Sequence, residues 1–198
     1  GESRHHKHLL PSVGRENPDN KGQPLYDLSD ERNMLHRFRR HSYSHYQRIL
    51  SDWETIFLAR HHRLPTRLID WTTNYLVALY WACESEKNKG EDGTIWAFIR
   101  QPDEKWDLNF FNSPLYKYKK NASTFEFLVK GVKIIYPFYV SPRMTAQGGL
   151  FTIQDNPWKG LEEHSPEEYT RQNFDILQIR KWTVPKGAKK KIMTELDE

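Results

Sequence analysis

Apolar residues recur at helical spacing in the first part of the chain and in short runs typical of strands in the second part. A capping box at Ser51 and Glu54 begins one predicted helix, and Asn74 is placed to cap another. Pro65 ends the first of these helices because proline cannot continue it. Helices are predicted from residue 29, over 52–61, from 74 to about 87 and over 189–196. Strands are predicted over 66–72, 94–100, 133–140, 149–154 and 174–183.

A helical first half followed by short strands predicts the α+β class. At 198 residues the chain can fill one hydrophobic core, and no change of composition marks a boundary within it. We therefore expect a single domain over residues 1–198, with a mixed or antiparallel sheet of five to seven strands and the N-terminal helices packed on it. The first 23 residues are polar and have only Leu9 and Leu10 as apolar anchors, which predicts a solvated segment.

Composition narrows the functional classes. The longest apolar run, residues 75–83, is far shorter than the roughly 20 residues that cross a membrane. The single cysteine, Cys83, excludes an internal disulfide and a zinc site with several cysteines. These features favour a cytoplasmic protein with no membrane partner. The sequence leaves the oligomeric state open.

A basic balance leaves a nucleic-acid partner open. The net charge is +4 and the isoelectric point is about 9.0. Arg37, Arg39, Arg40 and Arg48 form a basic region, and residues 116–120 combine tyrosines with lysines, which can stack on bases and bind phosphates. A solvated charged face explains the same pattern. A non-enzymatic RNA- or DNA-binding module is therefore one alternative function.

Candidate chemistry is concentrated in residues 61–72. No glycine-rich phosphate loop or nucleophile elbow is present, and no metal site is predicted. Arg67 is a bidentate donor for phosphate, and Asp70 could fix it or accept from a ribose hydroxyl. The two could equally pair with each other as a structural brace. If that segment is extended, Asp70 is expected to bind His61, His62 or backbone N–H groups near residue 74. A metal-dependent nuclease, the third alternative, requires His61, His62 and Asp70 to converge.

The same run carries a family resemblance. The sequence His-His-x-Leu-Pro-Thr-Arg-Leu-Ile-Asp-Trp-Thr at 61–72, followed by Leu-x-Ala-Leu-Tyr at 76–80, resembles the signature of the FRG-domain family, named after a Phe-Arg-Gly motif. Segments 9–15, 92–96 and 143–152 resemble further family motifs in the same order. The name motif is absent unless Gly1 is its last residue, so truncation at one or both ends is expected.

The order of elements is similar to that of ADP-ribosyltransferases, in which an Arg or His, a Ser or Thr, and a late Glu or Gln follow one another. This resemblance implies an ADP-ribosyltransferase-like fold with NAD as co-substrate. The implied function is NAD-dependent ADP-ribosyl transfer or NAD cleavage by a bacterial toxin or phage-defence effector. The implied partners are a nucleic-acid or protein acceptor, and an antitoxin or companion domain.

The resemblance also implies site residues. The implied catalytic residues are Arg67, Asp70 and Gln147. A glutamine at the late position can orient a hydroxyl but carries no charge. We expect Arg67→Lys to melt near wild type and lose function, and Asp70→Asn to lose both. The implied cofactor-binding residues are His61, His62, Thr66, Trp71, Thr72, Tyr75 and Arg143.

Overall fold

The computed structural model of the chain describes residues 1–3, 8–84, 90–100, 131–135, 149–164 and 176–197. A short 3-10 helix, Ser12–Gly14, precedes the regular elements. The helices in these ranges are α1 (Leu28–Tyr46), α2 (Asp52–His61), α3 (Tyr75–Cys83) and α4 (Lys186–Leu196). The strands are β1 (Glu16–Asn17), β2 (Asn20–Pro24), β3 (Leu68–Thr72), β4 (Gly93–Arg100), β5 (Val132–Ile135), β6 (Gly149–Gln154) and β7 (Ile176–Val184).

All strand pairs in the described ranges are antiparallel. They form a β1-β2 hairpin, a three-stranded sheet in the order β3-β6-β5, and a β4-β7 pair. The α+β class and the antiparallel pairing are therefore confirmed. The seven described strands are distributed over small sheets instead of forming one continuous sheet. In the described ranges β3 has β6 on one side only, so its other edge is available to line a cleft.

Helices α1 and α2 cover one face of the three-stranded sheet, as the sequence predicts. Phe57 of α2 stacks on Phe151 of β6 with 5.4 Å between the ring centroids. Burial of such large apolar side chains is the main favourable contribution to folding. The other members of this core are Leu35, Trp53, Ile56, Ala59, Leu68, Ile135 and Ile153.

The opposite face of the same sheet is also covered. Ile69 of β3 and Leu150 of β6 pack with Trp96 of β4, and Leu9 and Leu161 join them. A third, smaller cluster holds α3 and α4 against β4 and β7 through Ala82, Cys83 and Val184. Because both faces are covered, β3 is fixed in register and can hold side chains at its free edge in defined positions.

Residues 1–3 and 8–15 are docked on the fold, so the prediction of a solvated segment is wrong for them, whereas residues 18–23 are exposed as predicted. Leu9 and Val13 are buried, and Leu161 donates its backbone N–H to the Leu9 carbonyl at 2.9 Å. The backbone of Glu2 exchanges two hydrogen bonds of 2.8 Å with Thr94 of β4. Residues 4–7 lie outside the described ranges.

The remaining predicted elements fall partly outside those ranges. The predicted strand at 133–140 is observed over Val132–Ile135, and residues 136–140 are not described. Helix α4 begins three residues earlier than predicted. Of the helices that the structure describes, none combines the length and apolarity that crossing a membrane requires.

Candidate functional site

A cleft of about 420 Å³ lies along β3, and all five residues of this strand line it. Ligand pockets commonly have volumes of 300–1,000 Å³, so this cleft can hold a small organic molecule. Its walls come from the N-terminal segment, the end of α2, strand β3, the middle of α3 and the start of β6, with Trp96 of β4. The wall residues with charged, hydroxyl or indole groups are Glu2, Ser12, Arg15, Arg60, His61, Arg63, Asp70, Trp71, Thr72, Trp81 and Trp96.

Local backbone geometry brings the end of α2 to the cleft. The helix ends at His61, and Arg63 has the left-handed φ of +64°. The backbone N–H groups of His62, Arg63 and Leu64 then bond the Leu58, Arg60 and Ala59 carbonyls at 2.9 Å, which satisfies three carbonyls of the last turn. Pro65 follows and prevents further helix. This tight reversal leads into β3, so the last turn of α2 and the strand share one wall.

Arg60 joins three walls of the cleft. Its Nε donates to Asp70 Oδ2 at 2.8 Å, and its Nη2 donates to the same oxygen. Its Nη1 donates to Ser12 Oγ at 3.1 Å. The Ser12 hydroxyl in turn donates to the Thr66 carbonyl at 3.1 Å and accepts from the Thr66 N–H at 3.0 Å. Arg60 therefore connects α2, β3 and the N-terminal 3-10 helix.

The charges lining the cleft divide into paired and unpaired groups. Arg15 forms an ion pair with Glu2 at 3.2 Å, and Arg60 forms one with Asp70. Among the described residues, the Arg63 guanidinium, the His61 ring nitrogens and Asp70 Oδ1 have no hydrogen-bond partner. The Asp70 side chain is 54% exposed. The cleft thus offers two nitrogen-bearing side chains and one carboxylate oxygen to a ligand.

Arg67 lies elsewhere, in a buried ion pair with Glu31 of α1. Its Nη2 and Nε contact Glu31 Oε2 at 2.6 and 2.7 Å, and its backbone N–H donates to Oε1 at 2.8 Å. The two side chains are 8% and 1% exposed. The predicted alternative in which Arg67 and Asp70 pair with each other is therefore wrong. The partners expected for Asp70, the two histidines or backbone near residue 74, are also wrong, because Asp70 binds Arg60.

The other predicted site residues are divided between the cleft and its surroundings. His61, Asp70, Trp71 and Thr72 line the cleft. The Trp71 indole Nε1 donates to Thr152 Oγ1 at 2.9 Å, which fixes the ring at the cleft wall. The described residues that do not line it are Thr66, which is fully buried, His62, whose ring packs on Phe38, and Tyr75, which is 78% exposed.

Arg143 and Gln147 lie outside the described residues. The strand that follows them is described, and its first three residues, Gly149, Leu150 and Phe151, line the cleft. Their predicted roles stay predictions.

Sequence reasoning missed Ser12, Arg15, Arg60 and Arg63. Arg60 and Arg63 could have been found from the sequence, because they lie on either side of a helix end just before Pro65. Ser12 and Arg15 carry no such local signal, because only tertiary folding brings them to the cleft.

The described residues give little support to the two alternative functions, a nucleic-acid-binding module and a metal-dependent nuclease. In the basic region, Arg39 pairs with Asp52 at 2.7 Å and Arg48 with Glu54 at 2.6 Å, so these charges are partly neutralised. Residues 116–120 are not described. In the described ranges no three His, Cys, Asp or Glu side chains converge in a way that could hold a metal ion, as a metal-dependent nuclease would need.

The fold and the cleft define an α+β protein with a ligand-sized cleft lined by arginine, histidine, aspartate and tryptophan. The model of the FRG domain family matches residues 1–91, which confirms the family resemblance over that part of the chain. This part supplies the N-terminal wall, the end of α2, β3 and α3. Neither a curated protein nor a solved structure matches the chain.

Proposed function

We propose that the cleft binds NAD, and that the protein transfers ADP-ribose from NAD to an acceptor or cleaves NAD. The observation that carries this proposal is the set of groups around one ligand-sized cleft. These are the unpaired nitrogens of Arg63 and His61, the half-exposed carboxylate of Asp70 and several indole rings. A dinucleotide with a diphosphate, two riboses and two flat bases matches these groups in kind. The FRG resemblance and the predicted order of elements support the setting of a bacterial toxin or phage-defence effector.

The proposed reaction requires the bond between ribose C1′ and the nicotinamide nitrogen to break. Nicotinamide leaves with the bonding electron pair, which neutralises its positive ring. The ribose then carries positive charge until an oxygen or nitrogen of the acceptor, or of water, forms a bond to C1′ and gives up a proton. A carboxylate held beside the ribose stabilises that charge, and a prearranged charge of this kind is a large contribution to catalysis.

Asp70 is the described residue best suited to this role. Arg60 holds its Oδ2 through two N–H groups, and Oδ1 has no partner in the described part of the chain. Oδ1 can therefore accept a hydrogen bond from a ribose hydroxyl while Arg60 holds the other oxygen. Gln147 stays the candidate for a second hydroxyl contact, because it precedes the segment that enters the cleft. Arg67 is proposed to support the start of β3 through Glu31.

The test is Asp70→Asn in a NAD assay. We expect the wild-type protein to release nicotinamide from NAD, or to transfer labelled ADP-ribose to protein, RNA or DNA. We expect Asp70→Asn to lower that rate about 100-fold or more, because the amide carries no charge. Its melting temperature should change little, which reverses the expectation from sequence that Asp70→Asn also loses stability, because Asp70 is 54% exposed and such an ion pair contributes only about 0–1 kcal/mol. Liquid chromatography of nicotinamide and gel detection of the label provide the measurements.

Asp52→Asn is the matched control, since it removes an arginine-paired carboxylate outside the cleft. It should keep the wild-type rate. Absence of both nicotinamide release and label transfer in the wild-type protein, with every acceptor class present, would refute the enzymatic function. Equal rates for Asp70→Asn and wild type would refute the role of Asp70 alone.

A further inference from the structure

We propose that Arg63, with His61 beside it, forms a diphosphate-binding subsite at the end of α2. The ligand class is a nucleoside diphosphate and its esters, and the inference rests on the proposed function in assigning the diphosphate to NAD. Both residues line the cleft, and neither has a hydrogen-bond partner among the residues that the structure describes. Arg15 and Arg60 are already held by Glu2 and Asp70, so Arg63 provides the uncompensated charge in this part of the cleft.

The backbone of Arg63 is a second, independent observation. Its φ of +64° lies in the left-handed region, which costs free energy for every residue with a Cβ and which glycine normally occupies after a helix. The chain nevertheless has an arginine there. A residue that keeps an unfavourable backbone conformation at the wall of a cleft indicates that its side chain is needed. The planar guanidinium, with its fixed set of donors, is suited to bridging two phosphate groups.

A purely structural role for Arg63 is the competing explanation. A cation at the end of a helix interacts favourably with the negative end of the helix dipole. In this structure, however, the Leu58, Ala59 and Arg60 carbonyls of α2 are already satisfied by backbone N–H groups. The two explanations differ in what glycine does at this position. Under the structural explanation the fold loses stability and ligand binding is unchanged. Under ours the fold is retained and diphosphate binding is lost.

The experiment uses Arg63→Gly in the full chain, with calorimetric titration of ADP-ribose, ADP and adenosine. We expect binding of ADP-ribose and ADP to weaken roughly 10- to 100-fold, because charge-assisted hydrogen bonds are lost. Adenosine, which lacks phosphate, should bind both proteins equally. The melting temperature should stay within a few degrees of wild type or rise, since glycine relieves the left-handed strain but loosens the unfolded chain.

Gln47→Gly is the matched control. Gln47 is the other described non-glycine residue with positive φ, at +52°, and it follows α1 at an exposed position that does not line the cleft. Its replacement should leave binding of all three ligands unchanged. Arg63→Asn is a second variant, since asparagine tolerates the left-handed conformation and has no charge. Arg63→Lys should fall between wild type and Arg63→Asn, because lysine keeps the charge but not the planar group.

Each outcome separates the two proposals. Binding of ADP-ribose and ADP that depends on Arg63, without turnover of NAD, would support the subsite and refute the enzymatic function. NAD turnover with equal ADP-ribose affinity in wild type, Arg63→Gly and Arg63→Asn would refute the subsite and leave the enzymatic function standing. A wild-type protein that binds neither ADP-ribose nor ADP would refute the subsite as well.

Discussion

A single contact, the ion pair with Glu31, decides the role of Arg67. Arg67 is part of the run that resembles the FRG signature, and its residue type alone favours a phosphate ligand. Its guanidinium is bound to a carboxylate 36 positions earlier, and both groups are buried. The pair fixes α1 to the residue just before β3, because the Arg67 backbone N–H is bonded to the same carboxylate. Arg67 therefore acts on the cleft through the position of the strand.

We expect Arg67→Ala to destabilise the fold by about 3–5 kcal/mol, because Glu31 is left as a buried, uncompensated charge. Arg67→Lys should also melt below wild type, since lysine cannot make both side-chain contacts. This reverses the expectation from sequence that Arg67→Lys melts near wild type. Urea unfolding gives the free energies. Arg48→Ala, which removes an exposed pair, is the control and should cost less than about 1 kcal/mol. A wild-type midpoint for Arg67→Ala would contradict the structural role.

At the residue scale, the sequence is most informative where the signal is local. It placed His61, Asp70, Trp71 and Thr72 in one candidate site, and all four line the cleft. It did not find the partners of Asp70 and Arg67. A strand pattern shows which face a side chain occupies, but it does not show which group from a distant helix meets it there.

Among the elements, α2 and β6 have the bounds that were predicted from the sequence, and α2 shows why. Ser51 Oγ accepts from the Glu54 N–H at 3.3 Å, and Glu54 Oε2 accepts from the Ser51 N–H at 2.9 Å, so the capping box is formed. Such signals lie within four residues and need no tertiary information. The docked segment before β1 was missed because its anchors, such as the bond from Leu161 to Leu9, join distant parts of the chain.

The capping box also predicts a dependence of stability on pH. The hydrogen bond from Arg48, followed by those from Ser51, lowers the pKa of Glu54 from 4.5 to about 2. A carboxylate with a lowered pKa in the folded state stabilises the fold at pH values above its unfolded pKa, and this stabilisation is lost as the pH falls from about 4.5 towards 2. In urea unfolding, Glu54→Gln should be less stable than wild type at pH 6, and the difference should shrink over that interval.

Glu84→Gln is the control for this pH series, because Glu84 is exposed at the end of α3 and has no side-chain partner among the described residues. The difference in the free energy of unfolding between Glu84→Gln and wild type should stay near zero over the whole pH series. A gap between Glu54→Gln and wild type that persists unchanged down to pH 2 would show that the charge of Glu54 does not stabilise the start of α2.

At the scale of the whole molecule, the residues that match the FRG domain form their hydrophobic core together with residues from later in the chain. Strand β3 lies within residues 1–91, but its hydrogen-bonding partner β6 lies beyond them. The core cluster around Phe57 likewise takes Ile135, Phe151 and Ile153 from later in the chain. One wall of the cleft, Gly149 to Phe151, has the same origin. The matched residues therefore share their core and their cleft with β5 and β6.

We expect a fragment of residues 1–91 to lack a cooperative thermal transition, because β3 and the apolar side chains of α2 are left without partners. Circular dichroism during heating provides the measurement, and the full chain is the control. Amide resonances of the fragment should show the narrow dispersion of an unfolded chain. A sharp melting transition of the fragment alone would contradict the view that folding requires β5 and β6.

The bond from Lys189 Nζ to the Ser3 carbonyl, at 2.5 Å, links the last helix to the first residues. Together with the Glu2 and Thr94 bridge, it places the earliest part of the chain on elements that are made later. A ribosome adds about 5–20 residues per second, so roughly 10–40 s separate the synthesis of Ser3 from that of Lys189. During translation the emerging polypeptide carries Arg60, Arg63 and Asp70 before the opposite wall, residues 149–151, exists. The binding cleft is consequently a property that the polypeptide acquires only after those later residues have been synthesised.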